Sequence, residues 1–346
     1  MITHLRTTLP STILLLCLFL GSVPLQTLGV ESAGSLHGVS LDAVLQQGRD
    51  DVRSEQNIPA DRSNDLIGLG QWYNHHPLVD YATVIGTSIT VKFRDGSYTV
   101  LLDPFLEEQT VMRTAQNRFL YESDKGDGSK TAIILNPAES MYGHYQCQRI
   151  IATLLRKDYS IEYLANQAVD IGYLRQNLSA DIVYMNTHAG YFDVDGDQQA
   201  DAVVIATGEL WTNETIQKYP YEYQHQLIIK GMVGDQGYVA FTPAFIEHYY
   251  AEGSLPDSLV FMATCYAVYD SSMAQSFLDA GANVYVGWSN NTVFWTNSRT
   301  SVHAFRLFSL GLTVQQVCRL IRSGGFYNWL FHSKLLYVGD GTYRIP

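Results

Sequence analysis

The chain has few cysteines, few basic residues and, after its N-terminus, no long apolar run. Only 4 of its 346 residues are Cys, and 22 are Lys or Arg against 34 Asp or Glu. The net charge of −12 argues against nucleic acid and an anionic membrane surface as partners, because both attract basic proteins. A membrane span needs about 20 consecutive apolar residues, and no stretch beyond the N-terminus is long enough. The sequence has no internal repeats and no low-complexity tract.

The N-terminus has the order of regions that is typical of a secretory signal peptide. Arg6 comes first, an apolar run from about Ser11 to Leu25 follows, and small residues lie near Gly29. We therefore predict a signal peptide over residues 1–29 and a secreted or cell-surface protein. An uncleaved N-terminal anchor is the alternative. Cleavage would remove Arg6 and no acid, and the more negative charge would suit an extracellular protein that holds divalent cations.

Three cysteines remain after such a cleavage, and an odd number leaves at least one thiol unpaired. The predicted helices place Cys147 early in the first helix of the second half and Cys318 late in the last one. In a doubly wound domain these positions would lie at opposite ends, so we expect no disulfide between them. We predict that all three thiols are free and that Cys147 and Cys318 are small buried hydrophobic residues.

Residues 30–125 are predicted to form a small β-rich region without evident chemistry. Alternating apolar residues in Ile89–Arg94 and Ser97–Leu102 flank Asp95-Gly96, the strongest short signal for a hairpin. Residues 30 to about 65 are polar, and we expect a loosely attached segment or a short helix there. The stretch from residue 122 to 130 has the composition of a linker.

From residue 126 to 346 the pattern predicts an α/β domain, because short buried strands alternate with amphipathic helices. The first strand is Thr131–Asn136, and a helix is predicted from Gly143 to Lys157. Further along, Ser272–Ala280 is a predicted helix that Gly281 ends. Repeated alternation of this kind favours a mostly parallel sheet with helices on both faces.

Two of the predicted strands end in residues that can carry covalent chemistry. One apolar run, Asp181–Thr187, leads to His188, and a second, Ser258–Thr264, leads to Cys265. In open α/β sheets, ligands bind at the carboxyl ends of the strands. If the strands are neighbours, a thiol nucleophile and its general base meet at one edge of the sheet. Backbone N–H groups beside Cys265 and Gly190 would then bind the oxyanion, each contributing on the order of 3 kcal/mol.

The second half of the chain resembles the caspase-like fold (clan CD) of caspases, legumains, clostripain, gingipains and CHAT-domain peptidases. Its order of features is most similar to the gingipain, clostripain and CHAT branches. The features are His188 and Cys265, 77 residues apart, the segments Ala263-Thr-Cys265 and Ala280–Gly287, and the final Gly339–Arg344. The resemblance implies a three-layer sandwich, with Cys265 as the nucleophile and His188 as the general acid and base.

The sequence departs from that family in two places. Most relatives have Gly directly after the histidine, whereas here Ala189 precedes Gly190, and this places the oxyanion donor in question. Relatives that cleave after Lys or Arg often carry an acid two residues before the cysteine, where this chain has Ala263. The cleavage specificity therefore stays open.

Four further residues are predicted to contact substrate. The resemblance implies that Trp288, Ser289 and Asn290, which end the strand after the cysteine strand, line a substrate pocket. Glu209 follows an acidic loop at residues 193–201 and would line the cleft or orient His188. An ordinary surface acid is the alternative for Glu209.

An acidic loop begins five residues after His188. Its carboxylates are Asp193, Asp195, Asp197 and Asp201, at loop positions 1, 3, 5 and 9, and calcium accepts six to eight such oxygens. The loop is not a standard EF-hand and is closer to Asp-rich dockerin or thrombospondin-type loops. A solvated hairpin tip is the alternative. Bound calcium would stiffen the loop beside His188 and make activity calcium-dependent, as the resemblance also implies.

The sequence thus predicts a secreted, calcium-assisted cysteine endopeptidase that acts on protein or peptide substrates and uses no organic cofactor. Two other functions stay open. One is a catalytically inactive caspase-like module that binds a partner at the cell surface. The other is an envelope protein in which the acidic loop serves only calcium-dependent assembly.

Overall fold

The computed structural model describes residues 35–36, 39–55, 62–104, 117–122, 130–255, 257–322, 324–330 and 332–346. The predicted signal peptide and nearly all of the predicted linker lie outside these residues. The described residues fall in one structural unit, and the chain is mixed α/β, as predicted. None of the described helices has both the length and the apolar character that crossing a bilayer requires.

The strands of the described residues are β1 (Ser35–Leu36), β2 (Val39–Ser40), β3 (Val79–Ile85), β4 (Ser88–Phe93), β5 (Tyr98–Asp103), β6 (Asn117–Tyr121), β7 (Thr131–Asn136), β8 (Ser160–Ala165), β9 (Ile182–Asn186), β10 (Ala189–Phe192), β11 (Ala202–Leu210), β12 (Ile228–Val233), β13 (Gln236–Phe241), β14 (Leu259–Ala263), β15 (Val284–Trp288) and β16 (Leu335–Gly339). The helices are α1 (Leu41–Glu55), α2 (Arg62–His75), α3 (Glu139–Tyr142), α4 (Tyr145–Leu155), α5 (Ile171–Leu174), α6 (Thr215–Lys218), α7 (Pro220–Gln224), α8 (Pro243–Tyr249), α9 (Ser272–Asp279), α10 (Phe294–Ser309), α11 (Val314–Ile321) and α12 (Phe326–Leu330).

The first large sheet has the strand order β16-β15-β14-β9-β7-β8-β6. Its five central strands run parallel, and an antiparallel strand pairs with each edge. Successive residues of β9 alternate between two cores: Ile182 and Tyr184 pack with α4, α10 and α11, while Val183 and Met185 pack with α5, α8 and α9. Because helices cover both faces, the central strands are apolar throughout rather than alternating, as the sequence pattern predicts.

The ends of the elements follow local backbone chemistry. Helix α9 stops just before Gly281, which adopts a φ of +107° that disfavours any residue with a side chain. This confirms the predicted helix stop. At α11, Thr313 and Gln316 form a capping box that satisfies two N–H groups of the first turn.

The second large sheet has the order β10-β11-β13-β12-β5-β4-β3 and joins distant parts of the chain. The predicted hairpin is present as β4 and β5, with Gly96 in the left-handed region at the turn. Strand β5 pairs in parallel with β12, which belongs to the long insertion after His188. The sheet therefore spans the boundary that we predicted between residues 125 and 126.

Helices α1 and α2 cover the β3–β5 part of this sheet. Leu45, Leu69 and Tyr73 pack against Ile89 and its neighbours in one buried cluster. Residues 41–55 are thus a long packed helix, where the sequence suggested a loosely attached segment or a short helix. Asp42, Gln47 and Asp50 are exposed on the outer face of this amphipathic helix. Arg49 is buried and pairs with Asp235 (3.0 Å).

Strand β10, which follows His188 directly, is also held from its other side by β4. The Ser88 hydroxyl accepts from the Tyr191 N–H (3.0 Å), and the Thr90 hydroxyl donates to the Tyr191 carbonyl (3.1 Å). The Asp193 N–H in turn donates to Thr90 Oγ1 (3.2 Å). The polypeptide between His188 and the acidic loop is therefore fixed on both sides.

Candidate active site

His188 and Cys265 lie beyond the carboxyl ends of two neighbouring parallel strands. Strands β9 and β14 pair in register, with Ala263 opposite Asn186. Cys265 and His188 each follow that last pair by two residues, and both side chains are half-buried. This pairing confirms that the two strands are neighbours, as predicted.

A network of buried amide side chains ties these strand ends together. Asn297, on α10, donates to the Ala263 carbonyl (2.8 Å) and to Asn186 Oδ1 (3.4 Å). Asn186 in turn donates to Asn136 Oδ1 at the end of β7 (2.8 Å). The indole N–H of Trp288 donates to Asn297 Oδ1 (2.9 Å). Such satisfied buried networks fix geometry, because each unpaired group would be costly.

The thiol of Cys265 is held by the segment that follows β15. It donates to Asn291 Oδ1 (2.9 Å) and accepts from the Thr292 N–H (3.3 Å). The pKa of the Cys265 thiol is raised to about 12: burial is the largest cause, the Thr292 N–H opposes it, and the negative charge of Asp103 adds to it. In this conformation Cys265 is therefore a neutral thiol at pH 7 rather than a preformed thiolate.

The imidazole of His188 bonds to Tyr142 at the end of α3. Nε2 of His188 lies 3.0 Å from the Tyr142 hydroxyl. Burial lowers the pKa of His188, and the carboxylate of Asp103 opposes that shift. His188 is therefore neutral at pH 7 and able to accept a proton. The Tyr142 ring is itself fixed by stacking on Phe294, with ring centroids 4.3 Å apart.

Asp103 is the one acid whose charge raises the pKa of both His188 and Cys265 in the described structure. It ends β5, and its carbonyl accepts from the Gly234 N–H (2.8 Å). Val233 of β12, which pairs with Asp103, lines the same small hollow as His188. Sequence reasoning assigned no chemistry to this region, although an acid directly after a buried strand was a usable signal.

Tyr266, directly after Cys265, has a φ of +58°. A bulky residue in the left-handed region is strained, and such strain persists only where surrounding contacts impose it. Here the Tyr266 N–H donates to the Asn290 carbonyl (3.2 Å). Its hydroxyl accepts from the Thr87 N–H (3.0 Å), and Gly86 leaves room for it, since a Cβ there would lie 2.6 Å from that oxygen. This turn directs Cys265 toward the loop of Asn291.

The position of Gly190 does not favour the oxyanion role that we predicted for it. Gly190 pairs with Val204 of β11, and Ala206 N–H donates to the His188 carbonyl (2.9 Å). Antiparallel pairs alternate, so the Gly190 N–H belongs to the set that faces β11. The Ala189 N–H belongs to the opposite set and faces away from β11, which makes it the better-placed donor beside His188.

Of the predicted substrate residues, Trp288 and Glu209 are occupied by structural contacts. Trp288 is fully buried and bonds to Asn297 as described above. The Glu209 carboxylate accepts from Lys218 (2.6 Å), from the Tyr219 hydroxyl (3.0 Å) and from the Ile171 N–H (3.1 Å). These contacts do not support a role for Glu209 in orienting His188.

Ser289 and Asn290 directly follow β15, in the segment that approaches Cys265. In the described structure no hydrogen bond joins either of them to the Cys265 thiol. The Ser289 hydroxyl accepts from the Lys334 N–H (3.0 Å), and the Asn290 carbonyl accepts from Tyr266. The residues that contact the thiol are the next two, Asn291 and Thr292. The residues predicted to contact substrate therefore end one position before the two that contact the thiol.

The acidic loop brings three of its four predicted ligands together. Carboxylate oxygens of Asp193, Asp195 and Asp197 lie within 4.8 Å of one another. Asp201 lies outside this group, and its carboxylate accepts from the Val194 N–H (2.6 Å). Oxygen donors of this kind fit a hard cation such as calcium. The loop begins five residues from His188, about 17 Å along an extended strand, so an ion there would not touch the reacting groups.

The other two described cysteines are free thiols, as predicted. Both are buried in the core between the first sheet and α4, α10 and α11. Burial raises the pKa of Cys318 to about 12 and that of Cys147 still further. Cys265 is the most exposed of the three described thiols, and it is the one beside a histidine-bearing strand end.

No protein-family model matches this chain, and no curated protein matches it.

Proposed function

We propose that this chain is a secreted cysteine peptidase of the caspase-like type, in which Cys265 is the nucleophile and His188 the general acid and base. The observation that carries the proposal is the register of β9 and β14, in which each of the two residues follows the Ala263–Asn186 pair by two positions. A mostly parallel sheet with helices on both faces is compatible with that fold. The substrate class is a polypeptide.

The neutral state of both groups determines the mechanism. Sγ of Cys265 attacks the carbonyl carbon of the scissile bond as its proton passes to the imidazole of His188. The tetrahedral oxyanion would be stabilised by backbone N–H groups, among them that of Ala189, which faces away from β11. The C–N bond then breaks, and His188 returns the proton to the leaving amine. Water hydrolyses the thioester in the second step, with His188 as the base that activates it, and the thiol is regenerated.

Substrate binding has to rearrange two contacts before this step. The Cys265 thiol is hydrogen-bonded to Asn291, and Nε2 of His188 is hydrogen-bonded to Tyr142. Both partners come from segments at the sheet edge rather than from the strands. A peptide that displaces Asn291 would let Cys265 and His188 turn toward each other, because hydrogen bonds of catalytic groups often tighten only in the complex.

Calcium binding is part of the proposal as a stabilising element. Asp193, Asp195 and Asp197 would hold the ion, and it would stiffen the end of β10. The separation of the loop from His188 makes the expected effect of calcium one on stability rather than on the chemical step.

Labelling with a peptidyl acyloxymethyl ketone, followed by peptide mapping, tests the peptidase proposal. We expect one modified thiol, Cys265, with the reaction lost in Cys265→Ala and strongly slowed in His188→Ala. His225→Ala, at an exposed histidine remote from these strands, is the matched control and should react normally. Equal labelling of the buried Cys147 and Cys318, or no effect of His188→Ala, would contradict the proposal.

A second candidate function is a catalytically inactive caspase-like module that binds a partner at the cell surface. The raised pKa of Cys265 and the Tyr142 bond to His188 favour it, since both keep the pair unreactive in the absence of a ligand. This candidate predicts no labelling of Cys265 by any peptidyl electrophile, while the protein stays folded.

A further inference from the structure

A long stretch of the sequence that supplies helices on one side of the first sheet contains no acidic residue. Between Asp279 and Asp340 the chain has no Asp or Glu, although it has 34 of them in total. The same stretch contains Arg299, Arg306 and Arg319. Helices α10, α11 and α12 come from this stretch, and α4, which packs beside α10, also has no acid. Among the described helices, α4, α10 and α11 thus carry basic residues, and neither they nor α12 contain an acid, although the protein as a whole is strongly acidic.

This face contains an open groove of about 790 Å³. Helix α10 forms one wall with Trp295, Arg299 and Arg306, and α11 and α12 form the other with Leu320 and Phe326. None of the described residues that line the groove is acidic. In the described structure no carboxylate forms an ion pair with Arg299 or Arg306.

Large apolar side chains stand exposed along the groove. Trp295 is 73% exposed, Phe326 66% and Leu320 66%. Trp329, in ring contact with Phe326, is 63% exposed. Clustered exposed aromatic residues among arginines are typical of a binding surface rather than of ordinary solvated protein.

A series of ring contacts links Trp295, at one end of the groove, to the candidate catalytic residues. The Trp295 ring contacts Phe294 (centroids 5.4 Å apart), Phe294 stacks on Tyr142, and Tyr142 bonds to His188. From Trp295 to Arg306 the helix rises about 16 Å, which is the length of about five residues of extended polypeptide. A chain that reaches Cys265 can therefore continue along α10.

We propose that this groove binds an acidic segment of the polypeptide substrate. Apolar side chains of that segment pack on Trp295 and Phe326, and its carboxylates pair with Arg299 and Arg306. The identity of the ligand as substrate rests on the peptidase function proposed above. The charge of the rest of the protein favours a polypeptide over an anionic membrane, because a bilayer would also meet the acidic surroundings, whereas a short peptide meets only the groove.

Binding measured by fluorescence anisotropy in Cys265→Ala tests this proposal separately from catalysis. The probe is a fluorescein-labelled peptide that alternates Glu with Leu, and its matched counterpart has Lys in place of Glu. We expect binding of the Glu peptide alone, weakened by added salt. The double variant Arg299→Glu, Arg306→Glu should bind on the order of tenfold more weakly. Arg344→Glu, an exposed arginine outside the groove, is the control and should bind normally.

Three results would overturn the proposal: no binding of the Glu peptide, equal binding of the Lys peptide, or equal losses in the double variant and in Arg344→Glu. A sedimentation arm with vesicles of phosphatidylcholine and phosphatidylserine covers the membrane alternative. Vesicle binding that depends on Arg299 and Arg306, without peptide binding, would assign the face to a lipid surface instead. Because Cys265→Ala cannot hydrolyse peptides, these results are independent of whether the peptidase proposal holds.

Discussion

The hydroxyl of Tyr142 lies 3.0 Å from Nε2 of His188, and the two rings are in contact. In a neutral imidazole whose Nε2 carries no hydrogen, that nitrogen is the acceptor and the phenol is the donor. The phenol therefore competes with the Cys265 thiol for the nitrogen that would take its proton. This relationship makes Tyr142 a positioning residue that holds the proposed dyad at rest.

Replacing Tyr142 by Phe should release His188. The stacking on Phe294 would remain, because the ring is kept, and the hydrogen bond to His188 would be lost. A hydrogen bond worth about 0.5–1.5 kcal/mol corresponds to a rate increase of about 2- to 10-fold. We expect Cys265 to react faster by that factor with the peptidyl electrophile in Tyr142→Phe. Tyr221→Phe, at an exposed tyrosine of α7 outside the groove, should leave the rate unchanged. A slower reaction in Tyr142→Phe would instead mean that the phenol orients His188 productively.

Asp103 should shift the pH at which the Cys265 thiol ionises. Its negative charge raises the pKa of Cys265, although burial is the larger cause, and it also raises the pKa of His188. Asp103→Asn removes that charge, so both pKa values should fall. The rate of alkylation of Cys265 by iodoacetamide should then rise at a lower pH than in the wild type. Asp80→Asn, at an exposed acid of β3, provides the comparison. An unchanged pH profile would show that Asp103 does not act on the thiol.

Trp288 should contribute to stability and not to substrate binding. Trp288→Phe would keep most of the buried ring but leave Asn297 Oδ1 without its donor, at about 1–3 kcal/mol. We expect a Tm lower by a few degrees, with an unchanged labelling rate of Cys265 in the folded protein. Trp295→Phe, at a largely exposed tryptophan, should leave the Tm unchanged. Normal stability of Trp288→Phe together with weaker peptide binding would restore the substrate role that the sequence suggested.

The sequence predicted the two strand ends well because their signals are local. The runs that lead to His188 and Cys265 are short and apolar, and a helical pattern follows the Cys265 run; such features indicate buried parallel strands. Parallel strands that alternate with helices leave few possible neighbours, so the adjacency of β9 and β14 was a sound expectation.

The surroundings of the two residues could not be predicted in the same way. Asp103 and Tyr142 reach the site from elements far away in the sequence, through the pairing of β5 with β12 and the packing of α3. No periodicity encodes such non-local contacts. Trp288 shows a second limit: a strand-end position does not tell which way a side chain points, and here it points into the core.

Calcium should stabilise the protein through the acidic loop without changing the chemical step. With calcium at about 100 times its Kd, the folded state would gain about 2.7 kcal/mol, which differential scanning fluorimetry would detect as a higher Tm. The double variant Asp195→Asn, Asp197→Asn should lose this increase, because it removes two of the three grouped carboxylates. Asp201→Asn is the matched variant, and since Asp201 lies outside the group, its response to calcium should persist. A Tm indifferent to calcium in the wild type would identify the loop as a solvated hairpin tip. A labelling rate of Cys265 that depends on calcium, at a constant Tm, would contradict this prediction. It would mean that the ion acts on His188 despite the separation of about 17 Å along β10.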